Sequence, residues 1–470
     1  MDLQILAAFG IYFCVLTTIG LIFYFKARHA NAYMLGDRSV NYFVTAIATQ
    51  ASDMGAWLFL AFPAAIYSRG IAEVWTAIGL VFFMYINWHY IAPRLRRATE
   101  QYDTVTLSSF LAARCGDTSG VVRLLTACMA LLFFTFYIAS ALVGLGKLFS
   151  SAFGLNYHLG TFLGLASAIG YTLLGGFVAI AWCDLFQGIF LLIMILLVPA
   201  VAYNSIGGWD VLMAGLKAHG TQLSLFPSVS ATINGILLAL GWGLGYFGQP
   251  HILTNFMGID DPNNIKYAKW VGIAWQILVL SAAIAIGLIA IVYFPTTVVV
   301  PENLFVIMAK QLFTPFISGF VLCGILAATL STLDSHIFIS GSVVAEDVYK
   351  RVFFVGAPQH HVVWMSRAGS IVVSCVALWI ARDPSESIYN LVHYAWSGLG
   401  SSFGPLVIMS LSACRITPFG ASAGILLGGT VSALWPYVST TVPSLVPAFA
   451  IGLLAIYLGS LITSTAQSTR

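Results

Sequence analysis

Gly241-Trp242-Gly243-Leu244-Gly245-Tyr246-Phe247-Gly248-Gln249-Pro250 puts four glycines and a proline into ten residues of an otherwise apolar run. In a helix interior glycine costs about 1 kcal/mol and proline about 3 relative to alanine, so the helix predicted over 231–254 breaks here. A second apolar run, 42–68, carries a charge midway along it, in Ala51-Ser52-Asp53-Met54-Gly55-Ala56-Trp57. Small residues and a glycine around a carboxylate interrupt that helix as well. A helix broken inside a bilayer frees backbone carbonyls toward a cavity, and transporters hold ions and solutes at such places. Close helix packing on small residues is the competing account of the glycines. It suits either segment alone better than it suits the pair.

The rest of the chain is membrane material. Its 470 residues are 59% hydrophobic and 8% charged, against about 25% charged in soluble domains, which excludes a water-soluble globule. A helix needs about 20 mostly apolar residues to cross the hydrocarbon. Thirteen such spans fit, at 3–25, 42–68, 71–93, 121–149, 159–176, 178–203, 231–254, 269–294, 316–345, 361–381, 386–411, 419–437 and 443–464. No polar stretch between them is long enough for a second domain, so residues 1–470 read as one all-α transmembrane domain. The net charge of +3 is too small to argue for nucleic acid. Cys14, Cys115, Cys128, Cys183, Cys323, Cys375 and Cys414 show no CxxC or metal spacing and read as small buried apolar residues. The first run follows Asp2 without a small-residue cleavage site, so it is expected to stay as a helix.

Lysine and arginine are retained on the cytoplasmic side. With the N-terminus outside, that side takes Lys26, Arg28, Arg38, Arg94, Arg96, Arg97, Arg114, Arg123, Lys266, Lys269, Lys350, Arg351, Arg367, Arg415 and Arg470, while the outside keeps Arg69, Lys147, Lys217, Lys310 and Arg382. Fifteen against five sets the expectation of N-terminus out and C-terminus in, in a bacterial cytoplasmic membrane. The outer connections 204–230 and 295–315, with Asn204, Gly207, Gly208, Trp209, Pro295 and Pro301, are expected to hold short amphipathic segments. The inner connection 94–120 carries Arg94, Arg96 and Arg97 just past a helix end, as plain topology signals.

The two broken spans are the second and the seventh. Their separation of five is the spacing of two inverted five-span repeats over about 42–411. Three acidic residues lie well inside spans: Asp53, Asp184 and Asp334. Each is costly in hydrocarbon and marks a functional site by default. Within the ninth span Ser331, Asp334 and Ser335 stand at i, i+3 and i+4 on one helix face, beside Thr332. Hydroxyls with freed carbonyls make a weak oxygen site suited to a hard monovalent cation. Taken alone, these hydroxyls read more readily as bonds to carbonyls one turn back; the carboxylate tips the balance. His251, His336 and His393 are far apart in sequence and form no metal-spacing pair, so nothing points to an enzyme. His336, beside Ser335, reads as a hydrogen-bonded packing residue.

At these residues the chain resembles the bacterial sodium/proline symporters of the sodium/solute symporter family. Ala51-Ser52-Asp53-Met54, Phe133-Phe134-Thr135-Phe136-Tyr137, Gly241 through Pro250 continuing into His251-Ile252-Leu253, Ile325-Leu326-Ala327-Ala328, Leu330-Ser331-Thr332-Leu333, Glu346-Asp347-Val348-Tyr349-Lys350 and Tyr394-Ala395-Trp396 carry the likeness, which runs from Tyr33 to Leu461. It implies a LeuT-like core of five plus five inverted-repeat helices with one extra helix before it and two after. It implies a sodium site made by the carbonyls of Ala51, Met54 and Ala328 and the hydroxyls of Ser331 and Thr332, supported by Asp53. It implies L-proline, or a similar small amino acid, held by Gly55, Ala56, Trp57, Tyr137, Trp242, Tyr246, Gln249 and Pro250, with Arg38 at the inner gate and sodium as coupling ion in place of any organic cofactor. An apolar aromatic box suits the proline ring.

The chain departs from the family pattern in two places. Gly55-Ala56 stands where a serine-glycine pair is usual, and Asp334 stands where the proline branch has serine. With Asp184, Ser331 and Ser335, Asp334 is read as a second cation site or a carboxylate pair sharing one proton. The expected function is sodium-coupled proline symport by alternating access. The alternatives are sodium- or proton-coupled uptake of another small amino acid or carboxylate, or a transporter-like sensor, which would be expected to carry a signalling domain after the last span.

Overall fold

A segment facing lipid has to satisfy its own backbone, and the apolar runs do so as helices. The computed structural model describes residues 2–24, 30–294, 296, 298–354 and 356–468. Lys26, Arg28, Pro295 and Arg470, counted above, lie outside the described residues. The main helices are α1 Leu3–Tyr24, α2 Tyr42–Ala56, α3 Val74–Ile86, α4 Val121–Phe153, α5 Tyr157–Ser205, α6 Val229–Gly243, α7 Pro250–Met257, α8 Ile265–Tyr293, α9 Pro315–Val343, α10 Gln359–Ile380, α11 Ile388–Ser410, α12 Pro418–Leu434 and α13 Leu445–Ser468. Ten helical stretches among the described residues are long and apolar enough to cross a membrane, so the chain is a multi-pass membrane protein. Val40 and Ile259 make an isolated parallel bridge, with no sheet among the described residues.

Helix α9 is the central post. Its side chains are buried almost continuously from Ser318 to Val343, and it packs on α1, α2, α4, α5 and α10. A helix enclosed on all sides has no use for a polar face, so its hydroxyls and carboxylate need protein partners. α5 bends at Gly176 (φ 65°, ψ −175°), which divides it into the two predicted spans. A Cβ there would lie 2.9 Å from the Tyr33 ring and 3.0 Å from the Tyr33 carbonyl.

Two expectations are corrected. Cys14, Cys128, Cys375 and Cys414 are exposed, and only Cys115, Cys183 and Cys323 are buried. In lipid, an outward-facing thiol costs little, so apolar character did not fix its side. The connection 94–120 is largely helical. A π-helical turn, Asn87–Ile91, carries α3 into a helix Ala92–Gln101, and Thr106 caps a further helix, Leu107–Cys115, in a reciprocal capping box with Ser109. Arg96 is no free topology signal: it is buried, and its Nε donates to the Ile259 carbonyl at 2.7 Å. The long connections 204–230 and 295–315 hold the expected short helices, Trp209–Ala218 and Leu304–Leu312.

Gly176→Ala forces a side chain into a backbone region reserved for glycine and against Tyr33. It should cost about 1–3 kcal/mol and lower the melting temperature of the purified protein. Gly170→Ala, whose Cβ would meet open space, should leave it unchanged or raise it.

Candidate ion and solute site

The α2 break lies at Gly55 (φ 51°, ψ −163°), a conformation that side chains with a Cβ rarely adopt. Beyond it Trp57–Ala61 makes a π-helical turn. The C-terminal turn of α2 thereby presents carbonyls to α9. The Ser331 hydroxyl donates to the Ala51 carbonyl at 2.9 Å and to the Ala328 carbonyl at 3.0 Å. Thr332 Oγ1 approaches the same two carbonyls at 3.5 and 3.2 Å. A Cβ on Gly55 would come within 3.2 Å of Thr332 Oγ1. Four of the five predicted sodium ligands thus meet in one buried cluster. The fifth, the Met54 carbonyl, accepts the Trp57 N–H at the break.

The second break follows α6. Leu244–Gly248 winds as a 3-10 turn and Gln249 is extended (φ −85°, ψ 106°) before Pro250 opens α7. This turn brings Tyr246 onto Asp53, where the phenol donates to Oδ2 at 2.6 Å. Gln276 Nε2 donates to the Tyr246 oxygen at 2.8 Å, and Asn87 Nδ2 holds the Tyr246 carbonyl at 3.0 Å. Tyr137 reaches the Asp53 carbonyl at 3.4 Å. Asp53, buried, is therefore supported by residues of α4, α8 and the turn after α6.

Asp53, Trp57, Leu80, Tyr137, Trp242, Tyr246, Val392 and Trp396 enclose a cavity of about 10 Å³, room for about one water. An amino-acid-sized solute fits only when rings move. Trp57 closes one end, stacked on Phe62 with ring centres 4.7 Å apart and 5.1 Å from Trp242. Of the predicted solute contacts, Trp57, Tyr137, Trp242 and Tyr246 line this cavity, and Gly55, Ala56, Gln249 and Pro250 do not. Gln249 instead braces the break, donating to the carbonyls of Gly245 and Trp396 at 3.2 and 3.0 Å. A larger cavity, about 870 Å³, opens beside Arg69, Trp75, His219 and Phe294 and contains none of the predicted residues.

Asp184 and Asp334 are both buried. Ser335 donates to Asp184 Oδ2 at 3.4 Å, and Asp184 Oδ1 has no hydrogen-bond partner among the described residues. The carboxylates of α5 and α9 are thus brought to one region, a turn away from Ser331. Arg38 follows Gly36 and Asp37 in three successive left-handed residues (φ 63°, 50° and 54°). Its guanidinium donates to the carbonyls of Met257 (2.7 Å), Thr99 (3.0 Å) and Thr104 (3.0 Å) and to Thr99 Oγ1 (3.2 Å). Burial, and then the nearby Arg96 charge, push the Arg38 guanidinium below its usual pKa range.

Residues 33–428 match the family model described as sodium:solute symporter family. The chain belongs to that family. This symporter is 38% identical over 452 residues to the high-affinity proline transporter PutP of Bacillus subtilis, covering 95% of each chain. It is 36% identical to the osmoregulated proline transporter OpuE of the same organism, over 98% of this chain and 96% of the relative. It is also 36% identical to the sodium/proline symporter of Salmonella typhimurium, over 97% and 93%. Among solved structures, a Na+-coupled sialic acid symporter in a substrate-bound outward-open state superposes with TM-score 0.82 at 16% identity, covering 98% of both chains. MhsT in complex with L-phenylalanine gives 0.60 at 13% identity, over 90% and 98%. These likenesses carry the fold. The family places the symporter among transporters, not enzymes, with sodium as its coupling ion.

Sequence reasoning missed Gln276, Asn87, Leu80, Val392 and the part played by Trp396. Gln276 had a signal: an uncharged amide alone in the apolar run of α8 has to find a partner. Tyr246→Phe removes the donor to Asp53 and strands a buried carboxylate oxygen, at about 1–3 kcal/mol. A fall in melting temperature of the purified symporter, larger than for Tyr394→Phe, should follow.

Proposed function

We propose that this symporter carries L-proline, or a similar small amino acid, into the cell together with sodium by alternating access. The observation that carries the reading is the meeting of the Ser331 and Thr332 hydroxyls with the Ala51 and Ala328 carbonyls, next to a box of aromatic rings. Relatives named as proline transporters, at 36–38% identity over nearly the whole chain, favour proline within the family. In this reading the chain makes thirteen crossings in one domain, 1–470. A five-plus-five inverted-repeat core spans about 42–411, and the bacterial cytoplasmic membrane holds the N-terminus outside and the C-terminus inside. Sodium takes the carbonyl oxygens of Ala51, Met54 and Ala328 and the two hydroxyls, and it ties α2 to α9. The solute takes the space among Trp57, Tyr137, Trp242 and Tyr246, with Asp53 holding Tyr246 in place and the backbone around Gly55, Ala56, Gln249 and Pro250 shaping the breaks.

Binding of the two is reciprocal: if sodium orders α2 against α9 and so presents the aromatic box, the solute raises sodium affinity by the same factor. The membrane potential drives the cation inward with about 2.3 kcal/mol per charge per 100 mV. Arg38 is the inner gate, and its bonds to the segments at Met257, Thr99 and Thr104 part as the pathway opens inward. Asp184, Ser331, Asp334 and Ser335 form either a second cation site or a carboxylate pair with one proton. The buried Ser335 to Asp184 contact supports both forms.

Radiolabelled proline uptake into proteoliposomes under imposed sodium or proton gradients tests the reading, with accumulation expected under the sodium gradient and none without sodium. Ser331→Ala or Thr332→Ala should raise the half-saturating sodium concentration about tenfold, the equivalent of about 1.4 kcal/mol, whereas Arg38→Lys should change it far less. For the second site, Asp334→Ser should change the sodium Hill coefficient or the pH dependence of uptake. Unchanged values of both would remove it.

A further inference from the structure

His251, the second residue of α7, and His336, midway along the inner half of α9, have no part in the transport scheme above. They are 85 residues apart, yet His336 Nε2 lies 3.2 Å from His251 Nδ1. Both rings are buried. The Tyr137 ring lies 4.2 Å from His336, and the Phe134 ring 5.0 Å.

Helix α4 gives their position along the transport axis. Tyr137 lines the central pocket. Phe134, one turn on, faces both imidazoles. Ala130, the next turn, lines a further cavity of about 30 Å³ that reaches Val105, beside the Thr104 carbonyl held by Arg38. That cavity is also walled by Pro250, next to His251, and by Phe338 and Ile339, just past His336. On α4, the ring that faces the imidazole pair thus stands between a residue lining the central pocket and one lining this inner cavity.

Proton counting gives the pair a definite chemistry. Two neutral imidazoles share two protons among four nitrogens. One proton sits in the mutual bond, so the two outer nitrogens, His251 Nε2 and His336 Nδ1, must be one N–H donor and one lone-pair acceptor, whichever tautomers are present. Neither has a hydrogen-bond partner among the described residues. Leaving two buried polar atoms unsatisfied is expensive, and a packing role alone supplies no return for it.

We propose that His251 and His336 form an exit subsite for the zwitterionic amino acid, passed between the central pocket and the cytoplasm. The N–H receives the solute carboxylate and the lone pair receives an ammonium hydrogen. A sodium ion uses only the acceptor and a simple carboxylate only the donor, so the pair is matched to a solute carrying both. The subsite rests on the proposed reading of amino-acid transport and adds to it a second contact point on the inner side.

The test compares the two faces of the reconstituted full chain in vesicles of known orientation. Half-saturating proline is measured for sodium-driven uptake from the outer side and for efflux from the inner side. His336→Met keeps the bulk but offers no N–H, and the inner value should rise about tenfold, the loss of one charge-assisted hydrogen bond, with the outer value moving less than about twofold. His336→Gln, whose amide both donates and accepts, should return the inner value close to wild type. Equal shifts on both faces, or glutamine behaving like methionine, overturn the subsite and leave a packing pair. If His336→Met does not reach the membrane, His251→Leu against His251→Gln reads the same asymmetry. Wild-type chain without sodium-driven proline uptake would fail the transport reading itself, whereas wild-type uptake with symmetric variants removes the subsite alone.

Discussion

The donation from the Ser331 hydroxyl to the Ala51 carbonyl joins the two elements on which the rest depends. Helix α9 is enclosed by five neighbours and cannot turn a polar group to water or lipid. Helix α2 is broken at Gly55, one turn beyond the Ala51 carbonyl that faces α9. The contact forms where the two helices face each other in the buried interior. A cation placed there substitutes for hydrogen bonds already aimed at the same carbonyls, so little reorganisation of the backbone is required. The same junction fixes Asp53 two residues on, which in turn draws Tyr246 from the other broken helix.

Two interrupted helices therefore share one network. Gln276 on α8 and Tyr137 on α4 extend it to the surrounding frame, so the ion cluster and the aromatic box are neighbours through covalent chain as well as hydrogen bonds. For the proposed sodium and solute sites this would be the physical basis of reciprocal binding: Ala51 and Asp53 lie within a single helical turn.

The helix breaks were legible in the sequence because glycine and proline act locally: the φ of Gly55 and the extended Gln249 need no knowledge of the partner helix. The hydroxyls of Ser331 and Thr332 were legible because polar groups in an apolar run must be satisfied. What stayed hidden depended on distant pairing. Gln276 reaches Tyr246 across 30 residues and Arg96 reaches Ile259 across 163. The histidines, dismissed as unrelated, meet because α7 and α9 converge below the pocket. The cysteines misled for another reason: in a membrane protein an apolar residue is equally at home inside or against lipid, so hydrophobicity alone does not choose its face.

Arg38 has a consequence of its own. Three of its four hydrogen bonds end on main-chain oxygens, not on a carboxylate. A contact of this kind depends mostly on where the peptide planes point, and only its bond to Thr99 Oγ1 depends on a side chain of the segments it holds. In the proposed gating role, rotation of a helix end would release it: the key to such a door is mechanical.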